Sequence, residues 1–149
     1  MKLQVLFEEK NRLLKSFLEE TRNYLERFKQ DGHDVELKMD WVDELSDLRE
    51  ANIKALQVLD QQIAIERLLL NNEDIEKLQG QPVFKEILDQ TLNFIKEIQL
   101  TDQSLFLYIQ NMGFELRAQI LKGLKDKEAV SKFKSQTQSA TGDELDRTV

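Results

Sequence analysis

The sequence predicts an all-α protein, an elongated antiparallel bundle of three long helices followed by a short C-terminal helix and a polar tail. Three observations point there. Apolar residues recur at three- and four-residue spacing over long stretches, the period of one helical face. Five Gly and one Pro in 149 residues are too few for the repeated tight turns of a β fold. A hydrophobic content of 40% is enough to build a core, so the chain is not expected to be disordered throughout.

The first helix is predicted from about Leu3 to Phe28. Leu3, Phe7, Leu14, Phe17, Tyr24 and Phe28 form its stripe, interrupted by Lys10 and Thr21, and Leu6, Leu13, Leu18 and Leu25 widen it. Gln30-Asp31-Gly32 ends it, with Gly32 suited to the left-handed position after a helix. The second helix starts at an acidic cap, either Asp34 or Asp40. The alternation Val35, Leu37, Met39, Trp41 mimics a strand, but a lone strand has nothing to pair with. Trp41, Leu45, Leu48, Asn52, Leu56, Leu59 and Ile63 then run at helical spacing towards Leu70. Asn71-Asn72 and Gly80-Gln81-Pro82 bracket a connection in which Asp74 to Leu78 form a single turn.

Pro82 suits the first position of the third helix, because its missing N–H has no partner to lose there. Phe84, Leu88, Thr91, Ile95, Ile98, Asp102, Leu105, Ile109, Met112, Leu116 and Ile120 mark its core face as far as Lys122, and Gly123 ends it. Asp126 then caps a short helix carrying Ala129, Val130 and Phe133. Residues 1–134 are read as one helical domain, and 135–149, with little to bury, as a disordered tail.

Composition excludes several kinds of chemistry. No cysteine leaves no disulfide, thiolate ligand or thiol nucleophile. The single histidine, His33, lies in a polar turn, and paired carboxylates such as Glu8/Glu9 and Glu19/Glu20 are consecutive, hence splayed apart on a helix. No Gly-rich loop could cradle a phosphate. The expectation is therefore a protein that binds other proteins, with no catalytic residues, cofactor or metal. A net charge of −7 argues against nucleic acid. The N-terminal residues lack a signal peptide's apolar run and no stretch is long enough to span a membrane, so a cytoplasmic location is expected.

The charge is concentrated. From Asp31 to Glu50 eight acids stand against Lys38 and Arg49, which is −6 of the −7. Asp40, Asp43, Glu44 and Asp47 are read either as a solvated helix start or as a docking patch for a basic partner. A second apolar stripe is the more informative feature. Leu100, Leu107, Phe114 and Leu121 recur every seven residues, nearly opposite Leu105, Ile109, Met112 and Leu116 on the same helix. Something covers it: the short fourth helix, neighbouring helices, a second copy in a homodimer, or a partner's amphipathic helix. Ala129, Val130 and Phe133 would act as a gate if their helix covers the stripe only part of the time.

Phe7-Glu8-Glu9-Lys10-Asn11 opening a long first helix, Asp40-Trp41-Val42-Asp43-Glu44-Leu45 at an acidic-Trp helix start, and Ile120-Leu121-Lys122-Gly123-Leu124 before a short apolar helix resemble the flagellar type III export chaperones. The resemblance is to the FliT family first and the FlgN family second, over roughly residues 7–134. The polar tail after Phe133 departs from the Tyr-Gly ending expected of FliT. The resemblance implies a chaperone that holds the amphipathic C-terminal helix of a late axial flagellar subunit and delivers it to the export ATPase complex. It implies no contact residues; those are chosen from the second stripe.

Overall fold

The computed structural model describes residues 2–30 and 32–126, with side chains described as far as Lys122. Every regular element among them is helical: α1 (Lys2–Lys29), α2 (Val35–Leu68), α3 (Asn72–Gln79) and α4 (Pro82–Asp126). Contacts divide the chain into two compact units, Met1–Leu105 and Phe106–Val149.

Helix boundaries follow local chemistry. Gly32 adopts φ +89°, the left-handed conformation that a residue without Cβ enters at no steric cost. Asp34, not Asp40, caps α2, its carboxylate accepting the Leu37 N–H at 2.8 Å. The expected single turn at Asp74–Leu78 is instead the two-turn helix α3, because Asn71 caps it by accepting the Asp74 N–H at 2.8 Å and Leu78 is buried. Gly123 does not end the long helix, which runs on to Asp126. One interior Gly costs only about 1 kcal/mol of helix propensity, too little to stop an established helix. Asp126 is accordingly the last residue of α4, and the expected helix of Ala129, Val130 and Phe133, like the tail 135–149, lies outside the described residues.

In the first unit, α1 and α2 run antiparallel. Lys2 pairs with Glu66, Lys10 with Asp60, Asn52 donates to Glu20 and Tyr24 to Glu44, so rising numbers on one helix meet falling numbers on the other. The first part of α4 runs alongside α1 in the same direction, through Phe7–Phe84, Asn11–Ile87 and Arg22–Glu97. Leu3, Leu78 and Phe84 form a buried cluster flanked by Phe7, Ile63, Leu70 and Leu88, with the Phe7 and Phe84 rings edge to face at 5.6 Å. At the other end of α1, Phe28 is fully buried between Tyr24 and Trp41. Arg27 holds its guanidinium 4.7 Å from the Tyr24 ring and 5.2 Å from that of Trp41. His33 is exposed and meets Trp41 edge-on at 4.9 Å.

The apparent interruptions in the sequence stripes are polar cross-links. Thr21 is buried, donates to the Phe17 carbonyl at 2.9 Å and accepts from Arg49 Nη1 at 3.3 Å. Arg49 lies 4.6 Å over the Phe17 ring and grips Asp102 with two parallel hydrogen bonds of 2.8 and 2.9 Å. Asn11, rather than Lys10, is buried on α1; it donates to the Ile87 carbonyl at 3.1 Å and accepts from the Thr91 hydroxyl. No buried side-chain polar atom among the described residues lacks a partner.

These contacts predict that Arg49→Lys destabilises the protein although charge is conserved. Lysine offers no planar fork for Asp102 and stacks poorly on Phe17, and hydrogen bonds to charged groups contribute about 1.5–3 kcal/mol when partly desolvated. Urea unfolding should show a loss of about 1–2 kcal/mol. An unchanged midpoint would mean that Arg49 is only an incidental surface contact.

Candidate functional site

The second apolar stripe of α4 is solvent-exposed. Leu107, Phe114 and Leu121, in the second unit, are 58%, 50% and 54% exposed, and Leu100, in the first, is 54% exposed. Among the described side chains of the second unit the buried one on this helix is Met112, with Ile109, Leu116 and Ile120 half-buried. Ile109, expected at the centre of the core face, is thus not its most buried member. At about 100° per residue the most enclosed direction points along Met112, about 140° from Leu107. Leu107, Phe114 and Leu121 are separated by two turns each and lie along one helical line. Arg117 sits 5.9 Å from the Phe114 ring, so a cation borders the apolar row. Such a row has the spacing and chemistry to take an amphipathic helix lengthwise.

The acidic residues form a second feature. Asp40, Asp43, Glu44 and Asp47 are all exposed, and their spacing puts them on one face near the start of α2. Glu44 also reaches α1, accepting from the Tyr24 hydroxyl at 3.2 Å. Four carboxylates on one face attract basic segments and contribute little to folding. The predicted gate residues Ala129, Val130 and Phe133 lie outside the described residues.

Sequence reasoning missed a third feature, an exposed row on α2. Val58 and Ile65 are 54% and 58% exposed, Leu68 and Leu69 84% and 73%, and Ala51, Ala55 and Gln62 complete the line. The signal was present: Ala51, Ala55, Val58, Gln62, Ile65 and Leu69 keep an alternating four- and three-residue spacing of their own, beside the stripe from Leu45 to Ile63.

No family model, curated protein or solved structure matches the chain. What fold and surface define is a class, a helical bundle with apolar helix faces left uncovered. No helix among the described residues is long and apolar enough to cross a membrane.

The burial pattern separates core from candidate site. Met112→Asp should unfold the protein or cost several kcal/mol, since it places a charge where a side chain 2% exposed now sits. Leu107→Asp should change the unfolding free energy by less than about 0.5 kcal/mol. Equal losses in thermal melts would make the Leu107 row ordinary core.

Proposed function

We propose that the chain is a cytoplasmic, non-enzymatic export chaperone of the FliT-like kind, which holds the amphipathic C-terminal helix of a late axial flagellar subunit and delivers it to the type III export ATPase complex. The observation that carries this reading is the row Leu107, Phe114 and Leu121, three large side chains each at least half exposed on a helix whose other face is buried at Met112. An exposed row of this size is costly for a protein that binds nothing, and an aggregation-prone amphipathic helix is the ligand that matches its length and spacing. The sequence resemblance to the FliT family at Asp40–Leu45 and Ile120–Leu124 suggests the cargo and the export complex, with both segments lying within α2 and α4 and not at their ends.

The acidic face Asp40, Asp43, Glu44 and Asp47 fits the same role. It keeps a loaded complex soluble and speeds encounter with a basic partner. In this reading the long helices make an elongated antiparallel bundle of three. The segment carrying Ala129, Val130 and Phe133 competes with cargo for the row, lowering apparent affinity by the fraction of molecules in which it is docked.

The test is calorimetric titration with a peptide that reproduces the C-terminal helix of an axial flagellar protein. Wild-type protein should bind it, and Leu107→Asp/Phe114→Asp should weaken binding at least about tenfold, or about 1.4 kcal/mol, with an unchanged helical melt. Equal affinity of the two proteins would overturn the reading. So would a double variant whose only defect, by sedimentation, is lost self-association, which would assign the row to a homodimer.

A further inference from the structure

The exposed row of α2 has an internal order that an arbitrary partner surface does not require. Small side chains stand at its N-terminal end, Ala51 and Ala55, and large ones at its C-terminal end, Ile65 and Leu69, with Val58 and Gln62 between. All six are exposed. Their spacing alternates four and three residues from Ala51 to Leu69, the pattern of an antiparallel helix pair in which each layer joins one position of each kind. Laid antiparallel on itself about a two-fold axis at residue 60, the row sets Ala51 against Leu69, Ala55 against Ile65 and Val58 against Gln62. Every large side chain at the ends then meets an alanine. Such self-complementarity is what a two-fold interface between identical chains demands.

Charge agrees. The flanking positions on the open side, Lys54, Gln61 and Leu68, carry one charge, and antiparallel pairing sets Lys54 near Leu68 and Gln61 near itself, so no like charges meet. The acidic face of Asp40, Asp43, Glu44 and Asp47 lies some 16 residues from the axis. Antiparallel pairing therefore holds the two acidic faces about 50 Å apart at 1.5 Å per residue, far beyond a Debye length of about 8 Å. A parallel pair would set them side by side.

We propose that a second copy of this chain docks antiparallel along the Ala51–Leu69 row of α2, forming a two-fold dimer through a surface separate from the cargo row of α4. The paired segment spans about 27 Å of helix, which buries less than the roughly 800 Å² per partner of a tight interface. The dimer is accordingly weak and concentration-dependent. It does not rest on the chaperone reading.

The chain has no cysteine, so introduced ones report without background. Ala55→Cys protein mixed with Ile65→Cys protein should give a mixed disulfide dimer under mild oxidation, in preference to either homodimer. Sedimentation over a concentration series should show that Ala55→Glu alone and Ile65→Lys alone each weaken self-association at least about tenfold, as an unpaired charge repeated twice requires. The double variant should restore it, because each Glu then faces a Lys. Both positions are exposed, so the helical melt should not move. Three results would overturn the proposal: a wild-type chain monomeric at every concentration, Ala55→Cys homodimers outnumbering mixed ones, or self-association abolished by Leu107→Asp and indifferent to residues 55 and 65.

Discussion

Arg49 is the side chain on which the arrangement of the first unit turns. α2 has 34 residues and fully buries only Val35 and Leu45, so apolar burial alone does not fix where along its neighbours it sits. Arg49 does. Its guanidinium lies over Phe17, touches the Thr21 hydroxyl and forks onto Asp102, joining three helices at one point. Isolated exposed ion pairs contribute little, but a bidentate pair that is mostly covered, with side chains 23% and 36% exposed, tolerates only one geometry. Sliding α2 by one turn, about 5.4 Å, would strand the guanidinium against apolar surface. The other cross-links, Lys10–Asp60, Asn52–Glu20 and Tyr24–Glu44, fall into line with the register it sets.

A helix located by polar contacts has apolar side chains to spare. That surplus stands exposed. On α4 it takes the form of large side chains every seven residues, Leu107, Phe114 and Leu121, suited to a ligand helix of varied sequence. On α2 it is graded from alanine to leucine, which suits one ligand, the same row reversed. In the proposed readings, the acidic face near the start of α2 disfavours a parallel pairing of two copies and favours basic segments. Self-association and cargo binding, as proposed, each use side chains that packing leaves exposed.

The three long helices were legible in the sequence because a 3.6-residue period sustained over many turns has no other cause, and Asp34 and Pro82 marked two of their starts. Polar residues on the stripes were harder. Thr21, Asn52 and Asp102 look like breaks in a local pattern, yet each is explained by a partner dozens of residues away, which local spacing cannot reveal. α3 is longer than its sequence suggests because its stability comes from Leu78 docking beside Leu3 and Phe84 rather than from eight residues of propensity. Gly123 looks like a stop in the sequence, but one glycine does not end a helix that continues on both sides of it. The exposed row of α4 stood out through its strict seven-residue repeat. That of α2 did not, because a second apolar line becomes a surface only once neighbouring helices show which line they cover.

The central claim is that an amphipathic helix lies along Leu107, Phe114 and Leu121. Backbone hydrogen exchange tests it most directly, since protection reports where a ligand stabilises the helix beneath it. The measurement compares the free protein with protein to which a peptide of the C-terminal helix of an axial flagellar protein has been added. Exchange across residues 106–122 should slow on adding peptide, with no comparable change at residues 51–69. Protection confined to α2, or none within α4, would contradict the claim.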